Sequence, residues 1–253
     1  AMSEETAFRV RFEGPPPAKP ELYWRGVVLG HFDGRTWTRV RGAPLQSRVP
    51  VNVSGAAVRH QVTLEPSGKR WLFALDLPVA LPSLPGNPVS VSAELEMTAA
   101  YPVEERIRYD VASFTDYRVQ AGRWLPDRAR WLMLPYGFNP QATRAGTALQ
   151  RMADPVRRIE YVLKMFATEN YVYTQEPPRL GRDSVDEFLF STRAGFCEHY
   201  AGAFVFLMRA AGVPARVVTG YQGGELNPVD GYLTVRQSDA HAWAEGWVGS
   251  RGW

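Results

Sequence analysis

Apolar and polar positions alternate along the first half of the chain. Phe8-Arg9-Val10-Arg11-Phe12 sets apolar side chains on one face and basic ones on the other, the period-2 pattern of a half-buried strand. Proline breaks follow at 15–17 and 20. Tyr23–Leu29 is an apolar, β-prone run. In Phe32–Trp37 the pair Asp33-Gly34 lies between apolar positions, which is a hairpin signal. Strands are further predicted at Val58–Leu64, Leu72–Leu75, Val89–Thr98 and Ile107–Phe114, with Glu65–Gly68 as a turn. Residues 1 to about 120 thus read as an all-β module of short strands.

After residue 125 the apolar spacing lengthens to that of helices. Short helices are predicted over Asp127–Leu134 and Thr143–Ala153. Asp154-Pro155 reads as an N-cap and first-turn proline for Val156–Glu169, where Val156, Ile159, Val162, Leu163 and Phe166 share a face. Tyr171–Thr174 is short and β-like, and Ser184–Phe190 is another turn or two of helix. Cys197–Ala211 is apolar on most sides and reads as a buried helix, with Gly212 as its stop and Pro214 preventing continuation. Strand patterns return at Ala215–Tyr221, Gly231–Val235 and Ala240–Val248, with a loop over Gln222–Asp230. The expected class is α+β: a β-rich N-terminal module over 1–125, then a core over 126–253 in which a helix packs on an antiparallel sheet.

Composition narrows the classes. The chain has 253 residues, enough for a sizeable core, and 45% are hydrophobic. Its 29 basic and 26 acidic side chains leave a net charge of only +3, and the arginines are scattered. No basic run marks a nucleic-acid partner, so none is expected. No stretch reaches 18 apolar residues, so no membrane helix is expected within these residues. Ala1 ahead of Met2 reads as a cloning scar, and the chain as an excised piece of something longer. A single cysteine excludes an internal disulfide framework and any multi-cysteine metal site.

That cysteine carries the candidate chemistry. Cys197 falls at the start of its predicted helix, where orphan N–H groups and the macrodipole favour an anionic sulfur and can also face an oxyanion. Gly195 is expected to let the backbone turn tightly just before it. A free cysteine can equally be a small core hydrophobe. On the strand at 240–248, His241, Trp243, Glu245 and Trp247 share one face. A thiol nucleophile with an imidazole base satisfies the needs of acyl transfer, and a third group orients the imidazole. Glu245 lies about 13 Å along the strand from His241 and is not expected to be that group. Glu198 and His199 point elsewhere on the helix and read as supporting residues. A structural metal would need four ligands, so neither metal nor cofactor is expected.

Gly195-Phe196-Cys197-Glu198-His199-Tyr200-Ala201, then Ala211–Tyr221, then Asp239-Ala240-His241-Ala242-Trp243-Ala244-Glu245, resemble the bacterial transglutaminase-like superfamily. Leu22–Gly26 and Phe32–Trp37 resemble the β module of the TgpA-type membrane proteins. The resemblance implies a papain-like core and a Cys-His-Asp triad in chain order, with Cys197 as nucleophile and His241 as base. The family's Asp lies on the strand after a Trp like Trp253, so this chain is expected to lack it and to turn over weakly beside a longer one. The resemblance also implies the periplasmic region of a bacterial inner-membrane protein. The implied activity is that of a protein-glutamine gamma-glutamyltransferase acting on protein or peptide Gln and Lys, with envelope-associated substrates. Tyr173 and Asn170, upstream of the nucleophile, are candidates for a second oxyanion donor. The same dyad would also serve a cysteine protease or amidase, and the fold alone would serve a non-catalytic interaction module.

Overall fold

The computed structural model describes residues 2–40 and 49–253. The chain forms two compact units that interleave in sequence. One comprises Ala1–Val27, Pro44–Arg118 and Thr219–His241, the other Val28–Ala43, Val119–Val218 and Ala242–Trp253. The composition change near residue 125 marks where helices begin. The compact units instead draw on segments from both sides of it.

The first unit is built on a six-stranded sheet. Its order is Glu225–Leu226, Leu233–Arg236, Thr6–Phe12, Val58–Leu64, Ile107–Phe114, Leu77–Ala80, every pairing antiparallel. The alternation in Thr6–Phe12 has its expected consequence: Phe8 and Val10 are buried while Arg9 and Arg11 are exposed. Opposite Phe8 lies Leu64, which also faces Ile107, so one layer of side chains crosses three strands. Trp24, Leu72 and Leu75 close this core. Phe8 stacks on Phe73 at 5.4 Å and meets Trp24 and Tyr221 edge-on. The Trp24 indole N–H donates to the Gly223 carbonyl at 2.9 Å. Gly220 runs so close to Trp24 that a Cβ there would fall 1.9 Å from its carbonyl oxygen, a contact only glycine permits.

Two strand expectations need correction. Val89–Thr98 is a hairpin, Val89–Val91 with Met97–Ala99, because the Ser92 hydroxyl accepts the Glu96 N–H and Leu95 turns the chain at φ 66°. Of Leu72–Leu75 only Ala74–Leu75 pairs, with Tyr23–Leu29.

The second unit surrounds the cysteine-bearing helix. Helices α1 (Pro140–Ala148), α2 (Pro155–Thr168), α3 (Ser184–Glu187) and α4 (Cys197–Ala210) form its α layer. In α4 every residue from Ala201 to Arg209 is buried, which explains why its sequence shows little polar face. Gly146 of α1 admits close approach to α4: a Cβ there would lie 2.5 Å from the Ala210 Cβ. The hairpin His31–Phe32 with Trp37–Thr38 forms at Asp33-Gly34 as expected, the Asp33 carboxylate accepting the Arg35 and Thr36 N–H groups. It belongs to this second unit. Phe32 stacks on Trp37 and meets Phe206 edge-on. Arg209 is buried beneath them, its guanidinium donating to the carbonyls of Gly30, Met133 and Ala215 and lying 5.0 Å from the Trp37 ring. Burial pulls its pKa down to about 9, which leaves it cationic at neutral pH.

The helix predicted at Asp127–Leu134 is a 3-10 turn, Arg128–Leu132, confined between Pro126 and Pro135. That predicted at Thr143–Ala153 starts earlier, at Pro140, and tightens into a 3-10 turn after Ala148. Ser184–Phe190 divides into α3 and a π turn, Phe188–Thr192, which stops at Arg193 with φ 50°.

Candidate active site

Helix α4 begins at the cysteine itself. Phe196 is extended (φ −108°, ψ −173°), and Cys197 is the first helical residue, with a half-buried thiol. One turn on, the His199 imidazole folds back: its Nδ1 accepts the Phe196 N–H at 3.2 Å, and the His199 N–H donates to the Phe196 carbonyl at 2.9 Å. The imidazole supplies the returning half of a capping box, while the Phe196 backbone carbonyl takes the place of a capping side chain. Burial lowers the His199 pKa and so favours the neutral ring that this acceptor role requires. Gly195 is needed for space and not for a left-handed turn. A Cβ on it would lie 2.6–2.9 Å from atoms of the His199 side chain.

A two-strand parallel ladder brings a second segment to the thiol. Val172 pairs with Ala194 and Tyr173 with Gly195, fixed by Val172 N–H to the Arg193 carbonyl (2.7 Å) and Thr174 N–H to the Gly195 carbonyl (2.9 Å). Tyr173 thereby reaches Cys197. Its phenol oxygen lies within the electrostatic reach of Cys197. The Gln175 side-chain N–H donates to the same oxygen at 3.4 Å. The ring stacks on Tyr200 at 6.1 Å and 14°. Tyr173 is 56% exposed as a residue, with its hydroxyl partly buried. Burial of that hydroxyl, and next the negative charge Cys197 can carry, push the Tyr173 pKa up.

The floor is aromatic. Tyr200 meets Phe166 and Phe188 edge-on, and the Tyr171 hydroxyl donates to the Leu189 carbonyl at 2.7 Å. Burial raises the pKa values of Tyr171 and Tyr200, so these phenols stay protonated donors.

Of the residues singled out in the sequence, Tyr173 is brought beside Gly195, two residues before Cys197. Asn170 lies exposed in the turn after α2, and Glu198 is exposed in the first turn of α4. His241 is the second residue of the strand Ala240–Gly246, half-buried, and burial lowers its pKa. Ala242, next along, is buried against the α4 core. Glu245 forms a short ion pair with Arg216 at 2.9 Å, and Arg216 is fully buried, its guanidinium 3.8 Å from the Trp253 ring and 5.1 Å from Trp131. Gln175 and Tyr200 were missed. Their one sequence signal is spacing: Gln175 is two residues past Tyr173, in the bend after the strand, and Tyr200 is three past Cys197 on a helix.

A thiol at a helix start beside a phenol and aromatic rings is an arrangement that thiol-dependent acyl transfer can use. Residues 1–120 match the family model of the TgpA N-terminal domain, and residues 141–253 that of the Transglutaminase-like superfamily. The chain belongs to the transglutaminase-like family, in the form that carries the TgpA β domain. A protein of Pseudomonas aeruginosa named protein-glutamine gamma-glutamyltransferase is 42% identical over 254 residues, which take in 99% of this chain. The chain spans 37% of that relative's length. Two crystal structures of the periplasmic domain of TgpA from P. aeruginosa superpose with a TM-score of 0.92 over 99% of the chain. One, at 42% identity, is covered over 86% of its length, and the other, bound to ethylmercury, at 43% identity over 88%. YebA, an uncharacterised protein of Bacillus subtilis, is 32% identical over 159 residues, or 60% of this chain and 20% of YebA.

Proposed function

We propose that the chain carries the acyl-transfer site of a protein-glutamine gamma-glutamyltransferase. The observation that supports this best is the seat of Cys197: first residue of α4, with Tyr173 brought alongside by the ladder to Gly195, in a chain of the transglutaminase-like family.

The sulfur of Cys197 attacks the γ-carboxamide carbon of a protein-bound Gln. The tetrahedral oxyanion takes the Cys197 backbone N–H, with the Tyr173 hydroxyl as second donor and Asn170 as the lesser candidate. His241, having taken the Cys197 thiol proton, hands it to the departing nitrogen. Ammonia leaves and a thioester remains. A Lys amine then attacks the thioester carbon, His241 accepts the amine proton, and the thiol is restored with an isopeptide bond formed. The partners are protein or peptide Gln and Lys side chains, and no step calls for a cofactor. A periplasmic location, with a membrane tether in the full-length protein, rests on the likeness to the TgpA periplasmic domain. Immunodetection in periplasmic and membrane fractions of the host tests it.

Incorporation of a fluorescent primary amine into dimethylcasein, with ammonia release, tests the reaction. Cys197→Ala should abolish both signals, and His241→Gln should slow turnover by about a hundredfold or more. Ammonia release without amine incorporation would make the chain an amidase, and peptide cleavage would make it a protease. Neither signal, with the thiol intact, would leave an interaction module.

A further inference from the structure

A cavity of about 560 Å³ lies in the second unit, between the His31–Thr38 hairpin and the 3-10 turn Arg128–Leu132. That is the size of a small-molecule site. Neither Cys197 nor Tyr173 lines it, so the acyl-transfer reading makes no use of it.

Its charge is one-sided. Arg39 and Arg130 line the cavity, with His31 beside them. Arg130 is half-buried, and among the described residues its side chain has no hydrogen-bond or ion-pair partner. The acid of the lining, Asp33, is committed to the hairpin, where its carboxylate accepts the Arg35 and Thr36 N–H groups at 2.8 and 2.7 Å. A further cation lies behind the wall. Arg209, 3% exposed, donates to the carbonyls of Gly30 and Met133, and both residues line the cavity. Among the described residues no carboxylate pairs with it. Carbonyl dipoles and the Trp37 ring alone offset that buried charge, a state in which an additional anion nearby is favoured. Water screens a charge so placed poorly, and its field reaches the cavity through the two lining peptides.

The wall also has an apolar side. Val40 and Met133 belong to the lining, and Met133 is 56% exposed, an uncovered side chain of the kind a ligand body can bury. Gly30 keeps this side flat: a Cβ on it would collide with the Trp131 ring and with Val40.

We propose that this cavity is a binding site for a small organic anion, a carboxylate or phosphate monoester on an apolar body, with Arg130 and Arg39 holding the anionic group and Val40 and Met133 taking the body. The planar guanidinium fork of Arg130 suits either head group. A neutral ligand of the same shape leaves that fork unpaired and gains the apolar contacts alone.

Titration of the full chain with phenylbutyrate and with phenyl phosphate tests the site, followed by heteronuclear NMR with the Gly30 amide as reporter. Phenylbutanol, similar in shape but uncharged, is the reference. At least one of the two anions should saturate the shift and bind about tenfold or more tighter than the alcohol, the factor of one charge-assisted hydrogen bond. The better anion identifies the head group. Arg130→Gln should weaken its binding by a similar factor. Arg123→Gln removes the same charge from an exposed residue outside the lining and should leave binding unchanged. If Arg130→Gln lowers the unfolding midpoint, Arg39→Gln carries the test. Cys197→Ala should bind the anion as the wild type does, whatever it does to acyl transfer. No saturation by either anion, equal affinity for the alcohol, or equal losses in Arg130→Gln and Arg123→Gln would overturn the proposal. So would a shift that disappears in Cys197→Ala, because it would put the anion at the thiol.

Discussion

His60 illustrates how position fixes the charge of one residue. Its ring lies in the core of the first unit, 6.0 Å from Trp24, with both nitrogens committed: Nδ1–H donates to the Val58 carbonyl at 3.1 Å and Nε2 accepts the Leu75 N–H at 3.2 Å. A second proton would set a donor against the Leu75 N–H. Burial accordingly lowers the pKa from 6.5 to about 4. The unfolded chain therefore binds the proton first as pH falls, and it gains on the folded one. The contribution of neutral His60 is complete above pH 6.5, erodes between 6.5 and about 4, and amounts to about 3 kcal/mol at most. Urea unfolding followed at pH 7, 5.5 and 4 should show His60→Gln losing less stability on acidification than the wild type. Equal losses would show that His60 does not titrate in this way. Alternation along Val58–Leu64 already places His60 on the apolar face with Val62 and Leu64. The partner from Leu75 was not legible, because it comes from another strand. The same limit applies at the site. Cys197 could be read from its helix and Tyr173 named as a candidate upstream of it, but the ladder that sets Tyr173 beside Gly195 is two residues long, too short to leave a periodic signal.

At the scale of elements, two helix starts are held by aspartates of unequal visibility. Asp154 caps α2 from within its own sequence, its Oδ1 accepting the Val156 N–H at 2.9 Å. Asp-Pro ahead of a helical pattern announced it. Helix α1 has no such local cap: Asn139 precedes it at φ 52° with no side-chain bond to the helix. The missing acceptors come from α3. Buried Asp186 accepts the Gln141 and Ala142 N–H groups at 3.0 and 2.7 Å, while the Asn139 side-chain oxygen accepts the Val185 and Asp186 N–H groups in return. Each helix start is thus capped by the other, and 44 residues separate the partners. Nothing local in the sequence marks this exchange, which is why α1 was expected to start three residues late. The two caps should differ in cost. Asp154→Ala, exposed, should lose about 1 kcal/mol. Asp186→Ala strips two N–H groups in a buried place and should lose about 2–3 kcal/mol. Chemical denaturation of the two variants checks the order, and a smaller loss for Asp186→Ala would show that water replaces the carboxylate.

For the molecule as a whole, the interleaved units make a prediction about where the chain can be cut. A change of periodicity near residue 125 invites separation into 1–125 and 126–253. In the structure the first unit needs residues from the far end of the chain. The strand Thr6–Phe12 is flanked on one side by Val58–Leu64 and on the other by Leu233–Arg236, with Val10 opposite Leu233 and Phe8 opposite Val235. Leu233 and Val235 are buried in the same cluster as Phe8 and Trp24, Tyr221 packs on it, and the Trp24 indole donates to Gly223. A fragment of residues 1–125 would leave Thr6–Phe12 as an open edge with its core uncovered and the Trp24 N–H without its acceptor. Unpaired edges of this kind promote association, and lost core side chains of this size cost several kcal/mol each at most sites. The fragment should therefore lack a cooperative thermal transition and aggregate, and adding residues 219–241 through a flexible linker should restore the transition. Circular dichroism melts of the two chains decide it. A fragment of 1–125 that melts cooperatively as a monomer would mean that its sheet closes without the Leu233–Arg236 strand.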